Sequence, residues 1–242
     1  MSFNGQPIRA FAHDYETTGL NVNELGVLQA ALCILTLNQD GTYVIEDQDT
    51  TLLNPGEPIT AEATSIHGYT DFDVADKPAW IPYLTEQMET VNSMNLDAVI
   101  GFNSNSFDNR IAARVGLKPL RSLDLRKAVT QLKKSQGWER GTLAYSYEKL
   151  LGKPLVSAHD AMADIIATLD MIIPAMRLAG TETVDDFAVW MRGDAGTPDY
   201  KIGFGMHKGS KLKNLPKDYI KWLLSGEIDI DPDLRDGLEA CQ

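Results

Sequence analysis

Cysteine is nearly absent from this 242-residue sequence: Cys33 lies in an apolar run and Cys241 stands next to the last residue. Two thiols so placed have neither a metal-ligand spacing nor a disulfide framework, which excludes cystine-stapled folds and cysteine metal clusters. Long apolar runs are missing too. No segment approaches the ~20 apolar residues of a membrane span, and no basic start leads into an apolar stretch. The expectation is a soluble, cytoplasmic protein with no membrane partner. Positive charge is in deficit: 22 Lys and Arg against 34 Asp and Glu give a formal charge of −12. Phosphate neutralisation takes lysine and arginine, so this balance excludes a protein that holds nucleic acid by general attraction. Any such role must rest on a local site, either carboxylates offset by bound cations or a segment locally rich in lysine.

What is present suffices for one substantial core with a small appendage, since 43% of the residues are hydrophobic. Residues 8–16 read as a strand that Thr17-Thr18-Gly19 closes with turn chemistry, and 26–37 and 42–53 read as two further extended stretches. A helix is expected over 80–94, then a short apolar strand over 96–102, then helices over 106–116, 124–135, 142–151 and 160–178. That order implies an α/β fold with a mixed sheet flanked by helices. Gly193, Gly196 and Pro198 cluster where periodicity weakens. The expected division is a domain over 1–180, a linker over 181–199 and a small C-terminal module over 200–242. Between Tyr200 and Trp222 this module carries lysines 201, 208, 211, 213, 217 and 221 against Asp218 alone, interleaved with Phe204, Tyr219 and Trp222.

Four carboxylates stand out. Asp14 and Glu16 are one residue apart on the first strand, so both leave one face about 7 Å apart along the chain. Facing acids repel unless a cation sits between them. Asp108 falls in the first turn of a helix, where the dipole favours an ionised carboxylate, although a cap at Asn105 or Ser106 would explain that turn equally well. Asp164 lies a turn and a half into the helix that His159 opens, beside Ala161, Thr168 and Met171. An acid among such residues is costly unless paired or coordinated. Taken together, the four acids could surround two divalent cations, as two-metal hydrolysis of a phosphodiester requires. An imidazole beside the attacking water suits general-base work.

In order and spacing, these segments resemble the three motifs of the DEDDh 3′-5′ exonuclease superfamily: Asp14, Glu16 and Thr17-Thr18-Gly19; then Asn103 and Asp108; then His159 and Asp164. The strings His13-Asp14-Tyr15-Glu16-Thr17 and Ala158-His159-Asp160-Ala161-Met162-Ala163-Asp164 resemble the exonuclease I branch most, and the likeness spans roughly residues 8–178. The resemblance implies an RNase H-like fold and two ions of Mg²⁺ or Mn²⁺ on Asp14, Glu16, Asp108 and Asp164. His159 would be the general base. Thr17, Thr18 and Leu20 would line the pocket for the terminal nucleotide, and Asn103 would help hold the strand. Ile66-His67-Gly68-Tyr69-Thr70 resembles the His-Gly-x-Thr element of proofreading exonucleases, which makes His67 a substrate-binding candidate, and also fits a helix ending at Gly68. Residues 202–209 and 215–222 resemble the C-terminal module of exonuclease X-like proteins, suited to nucleic-acid binding or simply to forming a core of its own.

The substrate so implied is the 3′ end of single-stranded DNA, released as nucleoside 5′-monophosphates in a DNA-repair setting, with RNA and duplex ends as further candidates. An exoribonuclease of the same fold would need a contact to the 2′-hydroxyl, to which no residue can be assigned. A non-catalytic nucleic-acid-binding or polymerase-associated protein would ordinarily have lost a metal ligand, and all four acids and the histidine are present. The exonuclease I branch is much longer, so processivity does not carry over.

Overall fold

Alternation in the first strand decides the architecture. In the computed structural model, which describes residues 3–194, 196–226, 228, 230 and 232–242, strand β1 (Ile8–Thr17) sends Ala10 and Ala12 into one apolar core and Phe11 and Tyr15 into another. A strand buried on both faces belongs in the middle of a sheet. The order is β3-β2-β1-β4-β5. Strands β2 (Val27–Leu37) and β3 (Tyr43–Leu52) continue antiparallel from β1, while β4 (Ala98–Gly101) and β5 (Arg121–Asp124) lie parallel to it. The mixed sheet is therefore flanked by helices in the RNase H-like manner.

Helices α1 (Ala61–His67), α2 (Asp71–Val74) and α3 (Trp80–Ser93) make the crossover that a parallel return from β3 to β4 demands. Trp80, Leu84, Met88 and Val91 of α3 fill the core under Phe11 and Tyr15, together with Ile111 and Ala112 of α4 (Asp108–Arg114). The opposite core receives α5 (Leu125–Gln136), α6 (Leu143–Leu151), α7 (Ala161–Asp170) and α8 (Ile172–Ala179). Fully buried Ala161 on α7 is small enough for that helix to lie close on β1 and β2. Because β1, β4 and β5 run parallel, their C-terminal ends share one edge of the sheet. Asp14 and Glu16, the turn leading to Asp108, and Asp124 all sit there.

Three expectations need correction. The helix expected over 160–178 breaks at Met171, because Pro174 has no N–H for the carbonyl of Asp170 and its ring crowds that turn. Residues 181–199, expected as a linker, contain helix α9 (Val184–Arg192), whose Val184, Phe187, Ala188 and Met191 are buried. Strand β5 lies where no strand was expected.

The chain divides into two compact units, Met1–Met191 and Arg192–Gln242. The smaller holds a 3-10 turn at Leu212–Asn214, then α10 (Lys217–Leu224) and α11 (Pro232–Glu239), around its own core of Ile202, Leu212, Leu215, Ile220, Leu223, Ile230, Leu234 and Leu238. Tyr219 packs against this core from its edge. Phe204 and Trp222 stay 41% and 42% exposed, so the aromatics do not simply constitute it.

Candidate active site

Strand β1 presents Asp14, partly buried, and Glu16, buried, at its C-terminal end. Helix α7 lies across that face and brings Asp164 up to them. Asp164 and Glu16 offer carboxylate oxygens, and His159 a ring nitrogen, that all lie within 4.8 Å of one another. Asp108 arrives from the other side of the sheet edge: it is the first residue of α4, buried, and its carboxylate faces the backbone amides of Tyr15 and of Asp108 itself. Phe107, not Asn105 or Ser106, occupies the cap position of that helix.

The electrostatics are one-sided. Burial pushes the Asp14 carboxyl well above its usual range, and Asp108, Asp164, Glu16 and Asp160 add to the effect. Glu16 is pushed up to about 8, by burial and then by Asp164, Asp108 and Asp160. For Asp108, burial outweighs the two facing amides and raises the carboxyl to about 7. Asp164 rises to about 6, again by burial, although the His159 amide and the charge of His159 oppose it. Among the described residues, no lysine or arginine ion-pairs with any of the four. Four acids concentrated without a lysine or arginine partner repel one another, and a bound cation would offset that repulsion.

His159 is exposed and stands in the left-handed region at φ 69°, one residue before the helix cap. Its amide makes a long 3.4 Å hydrogen bond to Asp164 Oδ2. Asp160 is the cap, accepting from the Ala163 amide at 3.1 Å. Buried Gln29 on β2 anchors this corner from below. Its Oε1 accepts from the Ala161 amide at 3.1 Å, and its Nε2 donates to Asp160 Oδ2 at 3.2 Å and to the Tyr69 hydroxyl at 2.9 Å. One amide thus joins the start of α7 to the segment after α1.

A second buried network holds the turn between β4 and α4. His13, on the opposite face of β1 from Asp14, is held down to about 4 by burial, so its ring is neutral. Asn109 Oδ1 can only accept, which assigns the ring proton to Nε2 at 2.8 Å; Nδ1 then accepts from the Tyr15 hydroxyl at 2.9 Å. Asn109 Nδ2 continues to Asn105 Oδ1 at 3.0 Å. Asp124, at the end of β5, accepts from the Asn105 amide at 3.1 Å and from the Asn103 amide at 2.7 Å, which supports Asn103 at φ 64°. Gly101 is required just before: a Cβ there would come within 2.6 Å of Ser104 Cβ. The sequence singles out none of Gln29, Asn109 and Asp124, whose partners Asp160, His13 and Asn105 lie well away along the chain, and it offers Asn105 only as a helix cap.

The expected substrate-binding residues divide. His67 lies close enough to His159 for that residue's charge to lower it, after burial. Its Nδ1 accepts from the Tyr69 amide at 3.1 Å, so its proton sits on Nε2, which is buried without a partner. Gly68 ends α1 in the left-handed conformation, so the helix-end reading of that element also holds. Asn103 is exposed at the turn, and Leu20 projects with 87% of its surface exposed. Thr17 donates to the Gly19 carbonyl at 2.8 Å. Thr18 departs from the expectation: it is buried, its hydroxyl bonds to Glu57 and accepts from the Gly26 amide at 2.9 Å, and it bolts a loop rather than lining an open pocket.

The exonuclease family designated RNase_T matches residues 11–172, which is the segment that carries all five catalytic candidates. The chain belongs to this exonuclease family. No curated protein matches it. Among solved structures, an exonuclease I described as suggesting how processivity is achieved superposes with a TM-score of 0.62 at 16% identity, covering 78% of this chain and 44% of the other. The zinc-bound complex of E. coli exonuclease I with single-stranded DNA gives 0.58 at 18% identity, covering 72% and 41%. The E. coli enzyme with a dA16 oligonucleotide gives 0.58 at 17%, covering 70% and 41%. The chain thus spans less than half the length of these exonuclease I structures, and the likeness establishes the fold.

Membership in the exonuclease family implies divalent metal use, and the residues fit. Asp164 Oδ1 is buried with no hydrogen-bond partner, beside Glu16 and His159. A buried carboxylate oxygen left bare is expensive unless a ligand completes it. Carboxylate oxygens suit hard divalent cations.

Proposed function

We propose that this exonuclease hydrolyses the 3′-terminal phosphodiester of single-stranded DNA and releases nucleoside 5′-monophosphates. The observation that carries the reading is the convergence of Asp14, Glu16, Asp108 and Asp164, from three distant segments, with His159 beside them and no basic partner. Asp14, Glu16, Asp108 and Asp164 would hold two ions of Mg²⁺ or Mn²⁺, supplying Lewis acidity and offsetting charge on the phosphate and the departing 3′ oxygen. His159 takes the proton of the attacking water. Its exposed position next to the buried acids lets it pass that proton to solvent. His67 Nε2–H is a donor without an acceptor, suited to an oxygen of the terminal nucleotide. Asn103 and Leu20, both exposed, and Thr17 would border that nucleotide. Single-stranded DNA is favoured because the E. coli exonuclease I structures that share this fold hold single-stranded DNA or an oligonucleotide.

The substrate is tested by comparing hydrolysis of DNA and RNA oligonucleotides of one sequence under the same metal conditions. Faster cleavage of DNA is expected; a strong preference for RNA would replace this reading with an exoribonuclease.

A further inference from the structure

In the C-terminal unit, the hairpin closed by the Lys201–Lys211 bridge folds its tip onto α10. The His207 ring meets the Tyr219 ring edge-on at 4.6 Å, and Tyr219 meets Trp222 at 5.4 Å. Gly205, at φ 69°, lies so close to the Tyr219 hydroxyl that a Cβ there would clash at 2.4 Å. Tyr219 therefore locks tip and helix into one surface. What this leaves outside is unusual for a small unit: Met206 is 84% exposed, Phe204 41% and Trp222 42%. Lys208, Lys217 and Lys221 of the same segment are exposed as well. Lys211 and Lys213 are spent on Asp199, each at 2.8 Å. Lys201, Lys208, Lys217 and Lys221 form no ion pair among the described residues. Six lysines against Asp218 give residues 200–222 a formal +5, inside a chain whose total is −12.

We infer that this aromatic face, formed by Phe204, His207, Tyr219 and Trp222, together with the exposed lysines of the same segment, is a docking surface for single-stranded nucleic acid, distinct from the acid-lined catalytic site. Every base has a face that stacks on an aromatic ring, and every phosphate is offset by a lysine, so the pattern fits a strand without reading its sequence. Charge favours a polyanion over a protein partner: residues 200–222 are locally basic in an acidic chain, and four of their six lysines are left without an acidic partner among the described residues. The choice of polymer rests on the nuclease reading, but the geometry does not.

Fluorescence anisotropy of labelled oligothymidine with the full chain in EDTA reads this surface, because the carboxylate cleft without cations repels phosphate. Trp222→Ala should weaken binding on the order of 10-fold, the scale of one lost base stack. The double substitution Lys217→Ala and Lys221→Ala should lower the slope of log affinity against log salt by about 1.4, at roughly 0.7 per phosphate contact. Circular dichroism verifies that each variant is folded. Unchanged affinity and slope in both variants, or equal binding of a blunt duplex, overturns the inference and leaves the patch to a protein. The nuclease reading is tested apart from this, by metal-dependent release of p-nitrophenol from thymidine 5′-monophosphate p-nitrophenyl ester by the unaltered chain, so either can fail alone.

Discussion

His13 Nε2 stands 2.8 Å from Asn109 Oδ1, across 96 residues of chain. This bond ties the back of the strand that bears Asp14 and Glu16 to the helix that opens with Asp108, and Asn105 extends it to Asp124. Asp14, Glu16 and Asp108 are therefore positioned by a largely buried hydrogen-bond network on the other face of β1. Asn109→Leu should leave the His13 nitrogen unpaired and cost about 1–3 kcal/mol. It should lower kcat more than it raises KM, because it displaces Asp108 and the Asn103 turn together. Urea denaturation and steady-state kinetics check both, and unchanged stability would contradict the network.

The crowded acids should oppose folding where no cation offsets them. Asp14→Asn is expected to abolish cleavage and yet raise the melting temperature of the metal-free protein, since it removes one buried like charge from beside Asp108, Asp164 and Glu16. A gain of about 0.5–2 kcal/mol is the usual scale when such a functional compromise is released. Differential scanning calorimetry in EDTA is the measurement; a lower melting temperature would argue against the crowding.

The same crowding gives a pH dependence with a definite sign. Glu16 rises from an ordinary 4.5 to about 8, and Asp108 and Asp164 rise from 3.8 to about 7 and about 6. The folded chain therefore binds these protons more tightly than the unfolded chain. The stability so contributed is full below about pH 4 and is lost as pH climbs through 6, 7 and 8. Cations compete with those protons, so their affinity should increase over the same window. Saturating Mg²⁺ should raise the melting temperature at pH 8 by about 5–10 °C, as expected if binding at 100 Kd adds ~2.7 kcal/mol and each kcal/mol is worth ~2–4 °C. At pH 5.5 the rise should nearly vanish.

His159→Ala should slow hydrolysis on the order of 10²–10⁴ with little change in metal-induced stabilisation, the signature of a lost general base. A variant that instead loses the Mg²⁺-dependent melting shift would make His159 a ligand, which its closeness to Glu16 and Asp164 also permits.

Much of this was legible in the sequence. Phe11 and Ala12 leading into Asp14 and Glu16 mark a central strand with acids at its end, and the structure puts β1 at the middle of the sheet. Gln29 was not legible. It is a single polar residue in an apolar run, and its partner Asp160 lies 131 residues away. Strand β5 escaped because its four residues offer only Leu123 as an apolar marker before Asp124. Helix α9 was hidden by Gly193, Gly196 and Pro198 just beyond it, although Val184, Phe187, Ala188 and Met191 have helical spacing. Pro174 announced the break at Met171, but the apolar periodicity on either side masked it.

The central claim is metal-dependent removal of nucleotides from a 3′ end, and a gel time course with 5′-labelled single-stranded DNA tests it most directly, in Mg²⁺ and in EDTA, beside a matching duplex. A ladder that shortens one nucleotide at a time from the 3′ end is expected, faster on the single strand and absent in EDTA. Release of the 5′ label as a mononucleotide would contradict the polarity, and no ladder from folded protein in Mg²⁺ would contradict the catalytic reading itself.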